Sequence, residues 1–475
     1  MEQLRKLLKD SKSARWIVLI LASTMMFSAY LFTDVVSPLK SMIMENPAYG
    51  WSNAGWGFFT GAYSFFNVFF LMLLFGGIIL DKMGIRFTGI TFALIMLVGA
   101  FFNYYALTDT FLNGGPLYGF FNSFLTDYSP SVKLAALGFA LFGVGAETAG
   151  VTVSKVMVKW FQGKELALAM GLQVAIARLG TALALSMAPR IAGAMHNVPR
   201  PVLFGIALLA AGLLSFLAYT IMDIKYDKEA QQEKDDALAA GGEPEAEEEK
   251  FKIKDVGLLF TNKPFIYIAM LCVLFYSAVF PFLKYASDLM VNKFGVDPAT
   301  AGDIPSLLPF GTILLTPLFG YFLDKKGKGA SIMILGSLLL IVVHLVYAYG
   351  PASQTLAIVM MLLLGIAFSL VPAAMWPAVP RIVEERYLGS AYATIFWIQN
   401  WGLMGVPWLI GWTLDKVNPG VTEQIRQGVE GAHYDYTTPM LIFSATGILG
   451  LVFAFLLKQT DKKKGLGLEL PNIQE

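Results

Sequence analysis

Twelve runs of about twenty or more mostly apolar residues punctuate the sequence, and no other feature restricts the fold as strongly. They lie near 16–37, 53–80, 87–107, 134–158, 166–189, 201–222, 264–285, 303–323, 330–349, 355–378, 388–413 and 438–457. A run of that length can cross hydrocarbon as a helix because every backbone N–H and C=O is then paired inside the segment. With 56% hydrophobic and only 15% charged residues, the chain lies outside the composition of a soluble domain of its size. The predicted class is an all-α membrane protein with 12 transmembrane helices.

Net charge is +1, so the total says nothing about partners, whereas the distribution does. Lys and Arg concentrate in the leader "MEQLRKLLKDSKSAR", in alternate hairpin loops, in the central loop and in the tail, and Arg178 alone lies deep inside a run. That asymmetry predicts both termini in the cytoplasm. The leader precedes a full-length span without a small-residue cleavage site and is expected to be retained. Cys272 is single, which excludes an intramolecular disulfide. The chain has no Asn-x-Ser/Thr sequon, which suits a bacterial inner membrane.

Between the sixth and seventh runs lies "DIKYDKEAQQEKDDALAAGGEPEAEEEKFKIKD", charged and without sustained apolar periodicity, which reads as a linker. The predicted organisation is a six-helix bundle over 1–222, a cytoplasmic linker over 223–257 and a second six-helix bundle over 258–475. The two parts repeat each other weakly. "GIILDKMGIR" after run two and "GYFLDKKGKG" after run eight both read G-x-x-x-D-[K/R]-x-G, and "LGFALFGVGAETAG…ARLG" aligns with "VMMLLLGIAFSLVP…QNWG" at a shift of 222 residues. Repeated halves mark many transporter folds. Twelve spans, six plus six, with a cytoplasmic linker and the paired loops resemble the major facilitator superfamily over essentially the whole chain. The resemblance implies that Asp81, Lys82 and Arg86, with Asp324 and Lys325 in the second copy, are gate residues. Ile85 departs from the pattern, standing where a basic residue is usual.

The stretch "GVGAETAGVTVSKVMVKWF" places Glu147 inside the fourth span, and "GLQVAIARLG" places Arg178 inside the fifth. The two positions are symmetric about the turn at Gln162–Gly163, so an antiparallel hairpin holds them at one height. At 1.5 Å per residue both lie roughly 20 Å from the cytoplasmic helix ends, near the bilayer middle. A charge at that depth costs at least about 2.5–3.5 kcal/mol, so such residues face a bundle interior or a wet cavity and usually serve function. The alternative is a permanent Glu147–Arg178 pair that clamps two helices. In the second half the same positions are Ser369 and Asn400, polar but uncharged, so the first half is expected to read the charge of a solute and the second to supply neutral hydrogen bonds. Tyr30, Asn67, Gln173, Tyr276 and Gln399 fall at similar depth, any one of them explicable as packing or a helix–helix hydrogen bond. Phe280–Pro281–Phe282 is expected to kink span seven and Trp376–Pro377 to end span ten, while His344 reads as structural. One carboxylate and one guanidinium at one level suit a zwitterion, and a dipeptide inserted between them leaves every charge compensated without a proton.

A narrower resemblance follows from "GAETAGVTVSKVMVKWFQGKELALAMGLQVAIARLG", "AVFPF", "AYSFFNVFF", "LDKKGK", "AMWP" and "LGSAYATIFWIQNWGL". These stretches are similar to those of the lysosomal dipeptide uniporters of the superfamily and their prokaryotic relatives. The resemblance implies proton-independent movement of dipeptides, Glu147 and Arg178 matching ligands of the substrate termini, and Tyr276 and Trp376 in matching cavity stretches.

The expected partners are therefore a small zwitterionic substrate and the bilayer, with no nucleic acid, no obligatory protein partner, no metal and no cofactor. Alternatives are a proton-coupled symporter or antiporter of amino acids, peptides or small organic anions, nitrate and nitrite included, and a non-transporting sensor. The nitrate and nitrite porters place arginines in spans two and eight, which carry none in this sequence. An enzyme is not expected: the sequence shows no nucleophile–base constellation or phosphate loop, and its three histidines are scattered.

Overall fold

The computed structural model describes residues 8–239 and 257–471, and all of its regular structure there is helical. Span one is α1, Lys12–Asp34, started by the Ser11 hydroxyl, which accepts the Ala14 N–H. Span two is not one helix. It is α2, Asn53–Ala62, then a break at Tyr63–Ser64, then α3, Phe65–Phe69, then a second break at Leu71, whose φ is 52°. The rest of span two and all of span three form α4, Met72–Ala106, in effect two helices meeting at Gly84 with φ 81°.

The chain continues as α5 (Pro130–Phe161), α6 (Leu166–Ala192), α7 (Pro199–Ala239), α8 (Lys263–Phe294), α9 (Asp303–Lys326), α10 (Gly329–Tyr349), α11 (Gln354–Ile382), α12 (Leu388–Val417) and α13 (Thr437–Lys464). Among the described residues ten helical segments are long and apolar enough to cross a membrane. The two expected spans not among them are the broken span two and α12, which is 30 residues long but rich in Trp and carries Gln399 and Asn400.

The repeated loop motif acquires a physical reason. Its last glycine is Gly84 in the first copy and Gly327 in the second, and both take positive φ, 81° and 67°, where the chain reverses between consecutive spans. Two expectations need correction. Span ten does not end at Trp376–Pro377, because α11 runs through Pro377 and Pro380 to Ile382. The expected linker begins as helix: α7 continues to Ala239, while 240–256 lie outside the described residues. No apolar stripe announced that extension; charge holds it, through Asp223 and Asp227 paired with Arg86 and Lys159, and Glu229 accepting the Leu8 N–H.

Helices before the central loop pack mainly among themselves, α1 on α6 and α7 and α4 on α5, as do those after it, α8 on α12 and α13 and α11 on α9 and α10. The two sets meet where α2 lies on α12, α6 on α9, and the segment following α1, residues 37–45, on α8. Pro281 lies inside a continuous α8. His344 is fully buried, with Nε2 3.0 Å from the Ala278 carbonyl and its ring on Phe443, a packing role.

Candidate functional site

Glu147 on α5 is half-buried, and its carboxylate Oε1 accepts a 3.0 Å hydrogen bond from the Tyr63 hydroxyl at the break of span two. Arg178 on α6 is also half-buried. Its guanidinium lies among the rings of Tyr30 on α1, Phe280 on α8 and Phe368 on α11, at 5.8, 5.4 and 5.2 Å from their centroids. Rings from both halves therefore surround it, and it is turned to the seam between them rather than to lipid. Cation–π contacts of this kind favour the charge without using any of the five N–H donors. Among the described residues Arg178 has no hydrogen-bond acceptor, and Glu147 and Arg178 do not pair with each other. The clamp weighed as the bland alternative is absent from this conformation.

The other midplane residues fall into two groups. Tyr276 belongs to the Arg178 neighbourhood: its ring packs on Phe280 and Phe368, and its hydroxyl accepts from Trp376 Nε1 at 3.2 Å. Trp376 in turn stacks on Phe396. The second group consists of amides and a hydroxyl, bonded to their own helix, to a neighbouring helix or left without a protein partner. Ser369 is fully buried and donates to the Gly365 carbonyl, and Asn400 donates to Phe396. Gln399 accepts from the Cys272 thiol. The Asn400 Oδ1, the Gln173 Oε1 and both amide atoms of Asn67 are buried with no protein partner. The sequence does not mark Phe280, Phe368 and Tyr63 as site residues; Phe280 stands out there only for the expected kink and within "AVFPF", and Tyr63 only within "AYSFFNVFF".

Of the expected gate residues, Asp81 and Arg86 engage their own half. Asp81 accepts from Lys155 at 2.6 Å, and Arg86 pairs with Asp223 and Asp227. Lys82 is exposed, Asp324 is half-buried, and the Lys325 amine lies 4.8 Å from the Tyr321 ring centre. Among the described residues the ion pairs between halves lie instead at the side away from the chain ends. There Lys40 and Asp288, both almost fully buried, pair at 2.6 Å, with Tyr285, Tyr434 and Tyr436 around the amine. Lys284 pairs with Asp34 at 2.6 Å and Arg190 with Asp303 at 2.6 Å. Asp415 on α12 caps α2, accepting from the N–H groups of Asn53 and Ala54. Backbones also approach closely: a Cβ on Gly302 would meet the Leu185 carbonyl at 1.8 Å, one on Gly411 the Asn53 carbonyl at 2.0 Å, and those on Gly57 and Gly61 the Pro407 and Met404 carbonyls at 2.4 Å. This far side is sealed.

A groove of roughly 560 Å³ between α2, α5 and α12, lined largely by phenylalanines, contains neither Glu147 nor Arg178. It opens on the flank of the bundle and is unrelated to the charge pair. No group of three or more His, Cys, Asp or Glu among the described residues is arranged to hold a metal ion.

The family model described as Major Facilitator Superfamily matches residues 22–290 and 285–472. The chain is 29% identical over 409 residues to a lysosomal dipeptide transporter MFSD1 of Danio rerio, covering 84% of this chain and 81% of the relative. It is 28% identical over 413 residues to the protein of that name in Homo sapiens, covering 85% and 80%. Among solved structures, a bacterial homolog of the human lysosomal transporter Spinster superposes with TM-score 0.69 at 15% identity, covering 95% of this chain and 98% of that one.

Proposed function

The chain belongs to the Major Facilitator Superfamily and is a membrane transporter rather than an enzyme; from that premise we propose that it moves dipeptides by alternating access, as a uniporter that needs no proton. The observation that carries this reading is the state of the two charges. Glu147 is presented on a tyrosine hydroxyl and Arg178 inside a ring cluster, neither neutralised by the other. A solute with an ammonium at one end and a carboxylate at the other completes both, and desolvated charges are tolerated only when so completed. The relatives named as dipeptide transporters support the same substrate class.

In this reading the ammonium donates to Glu147, and the guanidinium fork donates to both oxygens of the carboxylate. Tyr276 and Trp376 wall the cavity, and Tyr30, Asn67, Gln173, Ser369, Gln399 and Asn400 form its polar layer. The parts 1–222 and 258–475 rock about this layer. The gate at the terminal side, Asp81, Lys82, Arg86, Asp324 and Lys325, engages across the seam only when the far side opens. Both termini lie in the cytoplasm of a bacterial inner membrane, by the distribution of Lys and Arg.

Counterflow in proteoliposomes tests the proposal. L-alanyl-L-alanine loaded inside is expected to drive uptake of labelled dipeptide, Glu147→Gln and Arg178→Ala are each expected to abolish it, and collapsing the pH gradient is expected to leave the initial rate nearly unchanged. Exchange that tracks the gradient would establish proton coupling instead. Binding without exchange would make the protein a sensor.

A further inference from the structure

We infer that Tyr63 is the positioning residue for amino-terminal recognition, holding the Glu147 carboxylate where a substrate ammonium meets it; the inference rests on the dipeptide reading above. The break in span two is what delivers this side chain. A continuous helix over 53–80 was expected from the apolar run, yet α2 stops at Ala62 and Tyr63 begins a turn before α3.

Span four is shaped to receive it. A Cβ at Gly143 would lie 2.0 Å from the Tyr63 carbonyl oxygen, so only glycine lets the broken backbone come this close. Glu147 stands one helical turn beyond Gly143, on the same face of α5. The Tyr63 backbone thus rests on one turn while its hydroxyl reaches the carboxylate of the next, at 3.0 Å. Its ring leans on Phe139 and Phe142, with centroids at 5.4 and 6.2 Å. Two residues earlier Gly61 abuts the Met404 carbonyl of α12, so the sealed far side also fixes where the phenol stands.

The chemistry follows from what each group can donate and accept. A phenol has one O–H, and this one is given to Glu147 Oε1. An ionised carboxylate has about four acceptor positions, so the rest stay open to an ammonium. Holding the carboxylate before the ligand arrives removes an ordering cost from binding. Tyr63 touches the substrate's amino group only through Glu147, and its loss affects only ligands that have one.

That restriction defines the experiment. Binding of L-alanyl-L-alanine and of propionyl-L-alanine, which lacks the amino group, is measured by calorimetry on the full-length wild type, Tyr63→Phe, Glu147→Gln and the double variant. Wild type is expected to prefer the free dipeptide. Tyr63→Phe should reduce that preference roughly tenfold while leaving propionyl-L-alanine within about twofold of wild type. In the Glu147→Gln background the same change should have no further effect. Equal weakening of both ligands by Tyr63→Phe would reduce Tyr63 to packing, and an unchanged preference would overturn the inference while the site stands. Glu147→Gln that keeps the wild-type preference, or a wild type without one, would overturn the dipeptide reading and the inference together. Should Tyr63→Phe fail to fold, Gly143→Ala, which displaces the same turn, is expected to lower the preference in the same way, and an unaltered preference there refutes the inference.

Discussion

Lys40 is the most deeply committed charge in the molecule: its amine is fully buried, against Asp288, Tyr436 and two further rings. Removing one member of such a pair strands the other, at a cost of about 3–5 kcal/mol, whereas replacing both by apolar groups is often neutral. Lys40→Met is therefore expected to lower the midpoint of thermal unfolding sharply, and Lys40→Met with Asp288→Leu to restore most of it, as read by a thermal melt in detergent. Arg178 poses the opposite case, a cation with rings but no acceptor. Arg178→Lys keeps the charge and loses the planar fork, so dipeptide affinity is expected to fall at least tenfold in the binding assay even though net charge is unchanged. The sequence revealed Glu147 and Arg178 because a charge in an apolar run is anomalous by itself. It hid Lys40, Asp288, Asp34 and Lys284, because a charge near the end of a run is indistinguishable from an ordinary loop residue until the partner helix is placed.

The helices differ in how far their limits could be read. α1, α5, α8 and α11 start at Ser11, Ser129, Asn262 and Ser353, each with a capping side chain, and these boundaries follow from local chemistry. Span two does not, since nothing in "AYSFFNVFF" breaks a helix by propensity. Its interruption is stabilised from outside, by Gly143 beneath Tyr63 and by α12 against Gly57 and Gly61. The start of α10 is likewise set from a distance: Glu469, in the tail, accepts the Ser331 N–H at 2.7 Å, and the tail backbone pairs with Lys328 and Gly329. The α2–α12 contact yields a prediction at this scale. Gly61→Val inserts side-chain atoms where a backbone carbonyl already stands, so the far side cannot close, and cysteines placed along α2 are expected to become accessible to a membrane-impermeant thiol reagent from that side. Cys272, the chain's single cysteine, is buried, which keeps the background low.

As a whole the molecule has its halves joined on one side, and the joints include ion pairs, a helix cap and glycine contacts beside buried apolar side chains of both halves. Arg190→Cys with Asp303→Cys, joined by a short bifunctional thiol reagent, is expected to arrest counterflow while dipeptide binding persists, because α6 and α9 could no longer part; continued exchange would show that this contact does not open. The sequence by itself determined an all-helical membrane chain, the repeated loop motif and the presence of two opposite charges inside apolar runs, because hydrocarbon thickness and helical rise are local constraints that each segment must satisfy alone. Tertiary structure alone decided that span two breaks at Tyr63, that Arg178 sits among rings from both halves and that the far side is closed, because each of these is a contact between segments distant in the chain, with an energy that no single segment encodes.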